Sequence, residues 1–586
     1  MPSFSPDSLR LVMICDLSGI PQVWTVPAEG GWPTLAVNTQ NEVTDIFWSP
    51  SQDWLAYSEA PAGGLNEQIY IVRPDGSQKQ RVTPSDKADN WLNGWSSDGK
   101  RLLIASNMDG GLGMNDYIVD PFARTFHLGS RNTGTGEFTE VSADGRFALL
   151  RRIHDRGNED LYLVRISDGK ETILTPHTGT AQFSAHMTRD GRAIYGRSDV
   201  GLDRSAFVRI KISEDGTPGS MEVLSGRKNA ELWSAVPNPS ADLVALFWNV
   251  NGRTELEFFH PKTGEFSSGP SLPTEEADPD ELSFSANGNL LALTLYGSTA
   301  APNVWTLDLR SLQLHPVSLS NHPGVDLSEL VSPKLQMYKA TDGLPLTGWL
   351  YLPKTAPKPY PLVLSIHGGP ETQELPTFHS DFQALLSQGI AVFAPNIRGS
   401  AGFGKDFVNL DNGPLRVNAI RDVKDTVDYL VRAGLADSKR VGIMGGSYGG
   451  YMTMAALATY PELFAAGADM YGIVSFETFF KNTEPWMAAV SKLEFGDPET
   501  QASLLRDLSP IHKADRIRAP TLILHGDHDT NVPLSEARQM AEALKKNGVS
   551  VQLVIFPGEG HGWSLTSTRI KSNLLIAHWF QEYLQR

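Results

Sequence analysis

The chain has 586 residues, of which 40% are apolar and 20% charged, and its formal net charge is −17. This length is too great for a single hydrophobic core, and the balanced composition excludes long disordered or collagen-like segments. The excess of acidic residues argues against a nucleic-acid partner, because binding phosphates over a broad surface needs clustered lysine and arginine.

The single cysteine, Cys15, excludes an internal disulfide and a cysteine-based metal site. It ends the apolar run 11–15, which is typical of a buried strand. The N-terminus lacks a basic region followed by a long apolar run, and no 18-residue stretch is apolar enough to span a bilayer. We therefore expect a cytoplasmic, soluble protein with no membrane partner, and the sequence leaves a homo-oligomer open.

A unit of about 45 residues repeats through the first 320 residues. Its first marker is a turn of the type Ser/Thr-x-Asp/Asn, often followed by glycine, which supplies the positive φ of a tight hairpin. Successive markers lie 45 to 52 residues apart. Their acidic or amide residues are Asp7, Asp53, Asp98, Asp144, Asp190, Asp242 and Asn287.

A second marker follows each turn and is a short strand rich in apolar and aromatic residues. These strands cover residues 23–26, 69–72, 117–119, 161–164, 206–208, 256–259 and 304–307. Two markers with one period near 45 residues are typical of β-propeller blades, and seven units predict seven blades over residues 1–325. No blade can bury both faces of its own sheet, so the aromatic residues are expected to pack between blades.

The period ends near residue 325, and strands then alternate with amphipathic helices. Strand-like runs lie at 346–352, 362–366, 390–394, 440–444, 521–524 and 551–555. A helix over 419–431 places its apolar residues on one face. A last helix over about 568–584 is expected to pack on the sheet, and it carries Ile570, Leu574, Leu575, His578 and Trp579. The alternation predicts a mostly parallel, two-sided sheet over residues 326–586.

The strongest chemical motif is Gly-Gly-Ser-Tyr-Gly at 445–449, a G-x-S-x-G between the strand 441–444 and a helix beginning near 451. This is the context of the nucleophile in an α/β-hydrolase, the fold we predict for residues 326–586, and it places the serine in a sharp turn that exposes its hydroxyl. Glycines two residues before and after Ser447 leave room for neighbouring backbone. Ser447 is therefore the candidate nucleophile.

A serine nucleophile needs a base that is oriented by an acid, and α/β-hydrolases supply them in the order serine, acid, histidine. Asp529 follows the strand 521–524, and His561 follows the strand 551–555 between two glycines. Asp527 is the alternative acid. A metal site formed by His525, His528 and Asp529 is a weaker alternative, because the serine motif already explains this loop without a metal.

Two backbone N–H groups are expected to bind the oxyanion of the reaction. One belongs to Tyr448, and the other to the run His-Gly-Gly-Pro at 367–370, where Gly369 is preferred over Gly368. A second glycine-rich run at 399–405 matches a phosphate-binding loop, but Asp406 stands where that loop needs serine or threonine. We expect neither nucleotide, metal nor other cofactor.

The two halves together resemble the prolyl oligopeptidase family of serine peptidases, with the acylaminoacyl-peptidase-like branch nearest. The motifs that carry the resemblance are HGGP at 367–370, NIRGSAGFG at 396–404, GSYGGYM at 446–452, DTNVP at 529–533 and EGHG at 559–562. The resemblance implies a triad of Ser447, Asp529 and His561, an oxyanion hole at Tyr448 and Gly369, and a propeller that caps the active site and admits only short peptides.

One departure concerns Asn531, because well-known members carry arginine there to hold a substrate carbonyl. The apolar residues Phe479, Phe480, Trp486 and Trp563 are candidates for the specificity pocket, although each is equally consistent with a core position. The sequence predicts a serine peptidase for short or N-blocked peptides. An esterase or small-amide hydrolase with the same triad, and a non-catalytic scaffold, are the alternatives.

Overall fold

A computed structural model describes residues 2–320, 322 and 324–585. The chain forms two compact units, of which the first extends to the end of the repeat region, apart from the loop residues Ala62–Gly64. The second unit begins at His322, close to the boundary predicted at residue 326.

Within the described residues, the first unit contains seven four-stranded antiparallel sheets, each built from strands that are consecutive in the chain. The strands of the first four sheets are β1 (Ser3–Phe4), β2 (Arg10–Cys15), β3 (Gln22–Pro27), β4 (Thr34–Val37), β5 (Glu42–Trp48), β6 (Leu55–Ala60), β7 (Gln68–Val72), β8 (Gln80–Arg81), β9 (Asn90–Trp95), β10 (Leu102–Ser106), β11 (Asn115–Asp120), β12 (Thr125–Ser130), β13 (Thr135–Val141), β14 (Phe147–Asp155), β15 (Asn158–Arg165) and β16 (Lys170–Ile173).

The remaining three sheets complete the ring. Their strands are β17 (Phe183–Met187), β18 (Ala193–Ser198), β19 (Ala206–Lys211), β20 (Glu222–Ser225), β21 (Glu231–Pro237), β22 (Val244–Asn249), β23 (Thr254–His260), β24 (Glu265–Ser268), β25 (Glu276–Phe284), β26 (Leu290–Gly297), β27 (Ala300–Asp308) and β28 (Gln313–Pro316). The first strand of each sheet contacts the first strand of the next, and β25 contacts β1. The seven-bladed β-propeller predicted from the repeat is confirmed.

The repeated Ser/Thr-x-Asp/Asn marker fixes the turn between the first two strands of a blade. In the third blade, the Ser96 hydroxyl donates a hydrogen bond to Asp98 Oδ1 (2.7 Å) and accepts one from the Arg101 N–H (3.0 Å). The same side-chain bond recurs in the pairs Ser5–Asp7, Ser142–Asp144, Thr188–Asp190 and Ser285–Asn287. The sequence repeat therefore reflects a local hydrogen-bonding requirement.

The second marker supplies the apolar contacts between neighbouring blades. Phe207 of the fifth blade is fully buried and packs with Leu232 and Trp248 of the sixth. The ring closes in the same way, because Leu11 of the first blade packs with Val304 of the seventh. Each blade thus obtains its core from its neighbours, as the repeat predicts.

The second unit is built on an eight-stranded sheet in the order β29-β30-β32-β31-β33-β34-β35-β36. Its strands are β29 (Lys334–Lys339), β30 (Pro345–Tyr351), β31 (Tyr360–Ile366), β32 (Ala391–Asn396), β33 (Ala436–Gly446), β34 (Ala466–Met470), β35 (Thr521–Gly526) and β36 (Val551–Phe556). The pairs from β32 to β36 are parallel, whereas β29 and β30 add antiparallel strands at one edge.

Helices cover both faces of this sheet, which confirms the predicted α/β-hydrolase fold. They are α1 (Ser380–Ser387), α2 (Lys405–Val408), α3 (Arg416–Arg432), α4 (Tyr448–Thr459), α5 (Phe476–Asn482), α6 (Pro485–Val490), α7 (Lys492–Phe495), α8 (Ala502–Leu508), α9 (Ser535–Lys546) and α10 (Thr566–Leu584). Helices α3, α4 and α9 pack on one face, and α1 and α10 pack on the other. No helix among the described residues is both long and apolar enough to cross a membrane.

Two details of the second unit differ from the sequence analysis. The strand β34 was not predicted, because its sequence Ala-Gly-Ala-Asp-Met has little β-propensity, yet it is buried in the middle of the sheet. Helix α10 packs on the sheet as predicted, through Trp579, Leu575, Ile576 and Phe580. Ile570 and Leu574, which the sequence groups with this face, are instead more than half exposed.

A buried ion pair ties the loop after β32 to helix α3. The Arg398 guanidinium donates two hydrogen bonds to the Asp422 carboxylate, at 2.8 and 2.7 Å, and Asp422 also accepts the Arg398 backbone N–H at 3.0 Å. Both side chains are almost inaccessible to solvent. Arg398 also donates to Asp342 at 2.8 Å, whereas Asp422 has Arg398 as its cation, so removing Arg398 would leave the buried Asp422 carboxylate without it.

We expect Arg398→Met to lower the free energy of unfolding by about 3–5 kcal/mol, because Asp422 would keep a buried, uncompensated charge. Urea titration of the second unit's unfolding transition measures this loss. Adding Asp422→Leu should recover most of it, whereas Arg440→Ala, which removes a more exposed pair with Asp437, should cost less than about 1 kcal/mol. A loss at Arg398 no larger than that at Arg440 would contradict the expectation.

Candidate active site

The candidate nucleophile Ser447 lies in the tight turn between β33 and α4. Its φ of 57° and ψ of −121° are rare for any residue other than glycine. The turn is held by the Ser447 N–H, which donates to the Met470 carbonyl at 2.9 Å, and by the Tyr451 N–H, which donates to the Ser447 carbonyl at 3.0 Å. A strained serine that the surrounding backbone holds in place is typical of a functional site.

The glycines two residues either side of Ser447 permit this turn. A Cβ atom on Gly445 would lie 2.4 Å from the Gly449 carbonyl group, and one on Gly449 would lie 2.0 Å from the Ile366 oxygen. Neither position has room for a side chain. The observed close approach agrees with the steric argument made from the motif.

The parallel strands bring the other predicted residues to the same edge of the sheet. Ile366 pairs with Gly445, and Gly446 pairs with Met470, so the strands β31, β33 and β34 end side by side. Asp529 follows β35, and His561 follows β36. The carboxyl ends of parallel strands are where sheets of this type place their sites.

Asp529 and His561 are joined by a hydrogen bond. His561 Nδ1 lies 2.8 Å from Asp529 Oδ2, in the geometry by which an imidazole N–H donates to a carboxylate. The other carboxylate oxygen accepts the backbone N–H groups of Asn531 (3.0 Å) and Val532 (2.8 Å). The carboxylate is therefore held by its own turn as well as by the imidazole.

A second imidazole lies beside the Asp529 carboxylate. His525 Nε2 is 3.4 Å from Asp529 Oδ2 and donates to the Val532 carbonyl at 2.8 Å. Burial alone would raise the pKa of Asp529, but the attraction of His561 and His525 and their hydrogen bonds outweigh burial and lower this pKa to about 2. Asp529 is thus ionised at neutral pH and suited to hold an imidazole in one tautomer.

The alternative acid, Asp527, has different partners. Its Oδ1 accepts the Gly558 N–H at 2.7 Å and lies 2.6 Å from His528 Nδ1, so it ties the end of β36 to the loop after β35. The buried Glu559 stabilises the loop after β36 in the same way, because its carboxylate accepts hydrogen bonds from the Ser564 and Leu565 N–H groups.

Among the described residues, no group of three or more His, Cys, Asp or Glu side chains is arranged to hold a metal ion.

Tyr448 and the loop that carries Gly369 both adjoin Ser447. Tyr448 is the first residue of α4, where backbone N–H groups lack partners within the helix. The loop after β31 is also adjacent, because a Cβ atom on Gly368 would lie 3.6 Å from Ser447 Cβ. Gly369 has a φ of 111°, which favours glycine, and His367 Nδ1 donates to the Gly368 carbonyl at 2.7 Å.

The five candidate pocket residues differ in their surroundings. Phe479 is buried in the core, with Phe480 packed at its edge, and Trp486 is almost fully buried in α6. Trp563 lies nearer the candidate site, because its ring is 5.2 Å from the ring of Tyr471, which contacts His561. Asn531 meets Asp529 through its backbone N–H.

Tyr471, whose ring centroid lies 4.8 Å from that of His561, is not among the residues predicted from the sequence. His525 is predicted there only as a possible metal ligand. The sequence carries no signal for Tyr471, because this residue directly follows β34, a strand that the sequence pattern does not predict. A signal for His525 was present in the sequence, since it directly follows the apolar run 521–524 and lies four residues before Asp529.

Comparison with known proteins identifies the family of the C-terminal unit. Residues 376–586 match the sequence model described as the prolyl oligopeptidase family. Over these residues the chain belongs to the prolyl oligopeptidase family. It is accordingly a serine peptidase with an N-terminal propeller, and the resemblance inferred from the five motifs is confirmed.

Relatives within the family extend over different parts of the chain. Dipeptidyl aminopeptidase BIII of Pseudoxanthomonas mexicana is 27% identical over 96% of this chain and 83% of its own length. The acylamino-acid-releasing enzyme of Arabidopsis thaliana is 31% identical over 38% of this chain and 30% of its own length. The solved structure of a puromycin-hydrolyzing peptidase from Mycobacterium tuberculosis has the same fold, with a TM-score of 0.84 at 17% identity over 100% of this chain and 94% of that one.

The contrast between Asp529 and Asp527 gives a direct test. We expect Asp529→Asn to lower kcat by roughly 10⁴, because an amide would favour the wrong tautomer of His561 and would not stabilise the imidazolium. Steady-state kinetics with a chromogenic substrate measure this fall. Asp527→Asn is the matched control and should change kcat by only a few fold; equal losses in both variants would contradict the assignment.

Proposed function

We propose that Ser447, His561 and Asp529 are the catalytic triad, and that the enzyme cleaves short or N-blocked peptides through an acyl-enzyme. The observation that carries this proposal is the 2.8 Å hydrogen bond between His561 and Asp529 at the sheet edge where Ser447 occupies its strained turn. The match to the peptidase family supports the same chemistry.

In the proposed mechanism, Ser447 Oγ attacks the substrate carbonyl carbon while His561 Nε2 accepts the hydroxyl proton. The backbone N–H groups of Tyr448 and Gly369 donate to the oxyanion that forms. The tetrahedral intermediate collapses as the imidazolium protonates the leaving amine, which departs and leaves an ester on Ser447. Water then attacks this ester with His561 again as base, and the acid product and free serine are released.

The names of the relatives support short peptides as the proposed substrates. The relative that matches almost the whole chain is named a dipeptidyl aminopeptidase, whereas the acylamino-acid-releasing enzyme matches less than half of it. Both names describe enzymes that act near a peptide N-terminus. We therefore propose substrates cut near that end, with the amine either free or acylated.

An esterase or small-amide hydrolase remains the second candidate. Asn531 occupies the position where well-known family members hold a substrate carbonyl through arginine, and an amide side chain would hold it less firmly. Ester cleavage requires less transition-state stabilisation of the leaving group. The same three residues would serve both reactions.

We expect Ser447→Ala to abolish hydrolysis of every substrate, because the variant has no nucleophile. A fluorophosphonate probe should label the native enzyme at Ser447, which peptide mapping by mass spectrometry would identify, and should leave the variant unlabelled. Retained turnover in the variant, or labelling at another serine, would overturn the proposed triad.

A substrate panel separates the two candidates and the two end groups. It compares kcat/KM for free aminoacyl, dipeptidyl, acetyl-aminoacyl and blocked prolyl anilides with that for p-nitrophenyl esters. We expect at least one peptide anilide to be cleaved, and peptides of increasing length to be cleaved progressively more slowly. Turnover of esters alone would favour the esterase, and equal rates for long and short peptides would contradict the size restriction.

A further inference from the structure

Tyr471 is an aromatic residue outside the proposed triad that lies against both the serine turn and the histidine. It follows strand β34, and its backbone N–H donates to the Leu524 carbonyl of β35 at 2.8 Å. The preceding carbonyl, that of Met470, accepts the Ser447 N–H. Hydrogen bonds therefore fix the backbone around Tyr471 to β35, the strand that precedes Asp529, and to Ser447.

The backbone conformation of Tyr471 is unusual for a large side chain. Its φ is 42°, in the left-handed region that non-glycine residues rarely adopt. The next residue, Gly472, passes close to helix α4, since a Cβ atom there would lie 2.6 Å from the Gly450 carbonyl carbon. A strained residue beside a candidate site is an indication of function when its surroundings hold it in place.

The ring of Tyr471 fills the space beside Gly446, the variable position of the G-x-S-x-G motif. A Cβ atom on Gly446 would lie 2.9 Å from Tyr471 Cε2 and 3.0 Å from its hydroxyl oxygen. The glycine at this position is thus explained by the tyrosine that covers it. The two residues form one packing unit next to Ser447.

The same ring contacts His561. The two ring centroids are 4.8 Å apart at an interplanar angle of 60°, and Trp563 packs against Tyr471 at 5.2 Å and 76°. His561 lies between Gly560 and Gly562, so its backbone alone restricts the imidazole little. The bond from Nδ1 to Asp529 fixes one atom of the imidazole and still allows the ring to turn about that bond.

We propose that Tyr471 is a positioning residue that holds the His561 imidazole so that Nε2 faces Ser447. The inference rests on the proposed triad. Its evidence is geometric, because the Tyr471 ring packs against Gly446, the residue before Ser447, and also contacts the His561 ring. Burial and the nearby carboxylates of Asp381 and Asp529 raise the pKa of Tyr471 to about 12, so the side chain acts as a neutral aromatic ring at assay pH.

Two substitutions at this position separate the ring from the hydroxyl. Tyr471→Phe keeps the ring and should retain kcat within about twofold, whereas Tyr471→Leu should lower kcat by roughly 10 to 100-fold, the loss expected when a reacting group is misplaced by about 1 Å. KM for a small anilide should stay within about twofold in both. The rate of fluorophosphonate labelling should fall in parallel with kcat.

The matched control is Tyr583→Leu in helix α10, where a partly buried tyrosine packs against Trp579 with centroids 4.8 Å apart. It removes a similar aromatic contact away from the serine turn and should leave kcat unchanged. Unchanged kcat in Tyr471→Leu, or an equal loss in Tyr471→Phe, would overturn the proposal.

A second variant, Gly446→Ala, tests the same contact with Tyr471 in place, and a double-mutant cycle with Tyr471→Leu measures the coupling between the two positions. Gly446→Ala introduces a Cβ atom against the Tyr471 ring and should lower kcat without removing the tyrosine. In the Tyr471→Leu background the same change should cost much less, because the contact is gone. Additive losses would contradict the coupling.

A spectroscopic measurement reports the imidazole directly. The proton that His561 Nδ1 shares with Asp529 should give a low-field proton resonance, which Asp529→Asn should remove. The resonance should persist in Tyr471→Phe and broaden in Tyr471→Leu, and an unchanged line in Tyr471→Leu would overturn the proposal. If Ser447→Ala remained active the triad itself would fail, whereas an inactive Ser447→Ala with a normal Tyr471→Leu would refute only the role of Tyr471.

Discussion

The close approach of three backbone segments around Ser447 is the constraint on which the candidate site depends. The end of β31, the turn from β33 into α4 and the segment after β34 meet with no space for side chains. A Cβ atom on Gly449 would overlap the Ile366 oxygen, and one on Gly450 would lie 2.3 Å from Asp469 Oδ1. Because the backbones touch, the serine is held in a strained conformation and the helix N-terminus and the loop 367–370 lie beside it.

The charge of the Asp529 carboxylate is also set by groups at this edge of the sheet. Asp529 is buried, yet two imidazoles and two turn N–H groups stabilise its charged form. Asp527, two residues earlier, instead accepts a hydrogen bond from the Gly558 N–H and so stabilises the loop that carries His561. Two carboxylates in one short segment thus differ in role because only one faces the histidine, while the other secures the backbone that presents it.

The propeller depends on a repeated local requirement and not on any single residue. Each Ser/Thr-x-Asp/Asn turn satisfies its own backbone groups, and each blade completes its core against the next. This architecture tolerates sequence change between blades as long as the turn and the apolar strand persist.

The sequence by itself determined the seven blades, the hydrolase fold and Ser447 with its flanking glycines, because turn chemistry, strand periodicity and a steric motif are local properties of the chain. It also placed Asp529 and His561 after their strands, but left Asp527 open as the acid. Only the tertiary structure showed which carboxylate meets the imidazole, since that depends on how two loops from neighbouring strands face each other. It alone also revealed β34 and Tyr471, because a strand of Ala, Gly and Asp owes its conformation to the strands on either side.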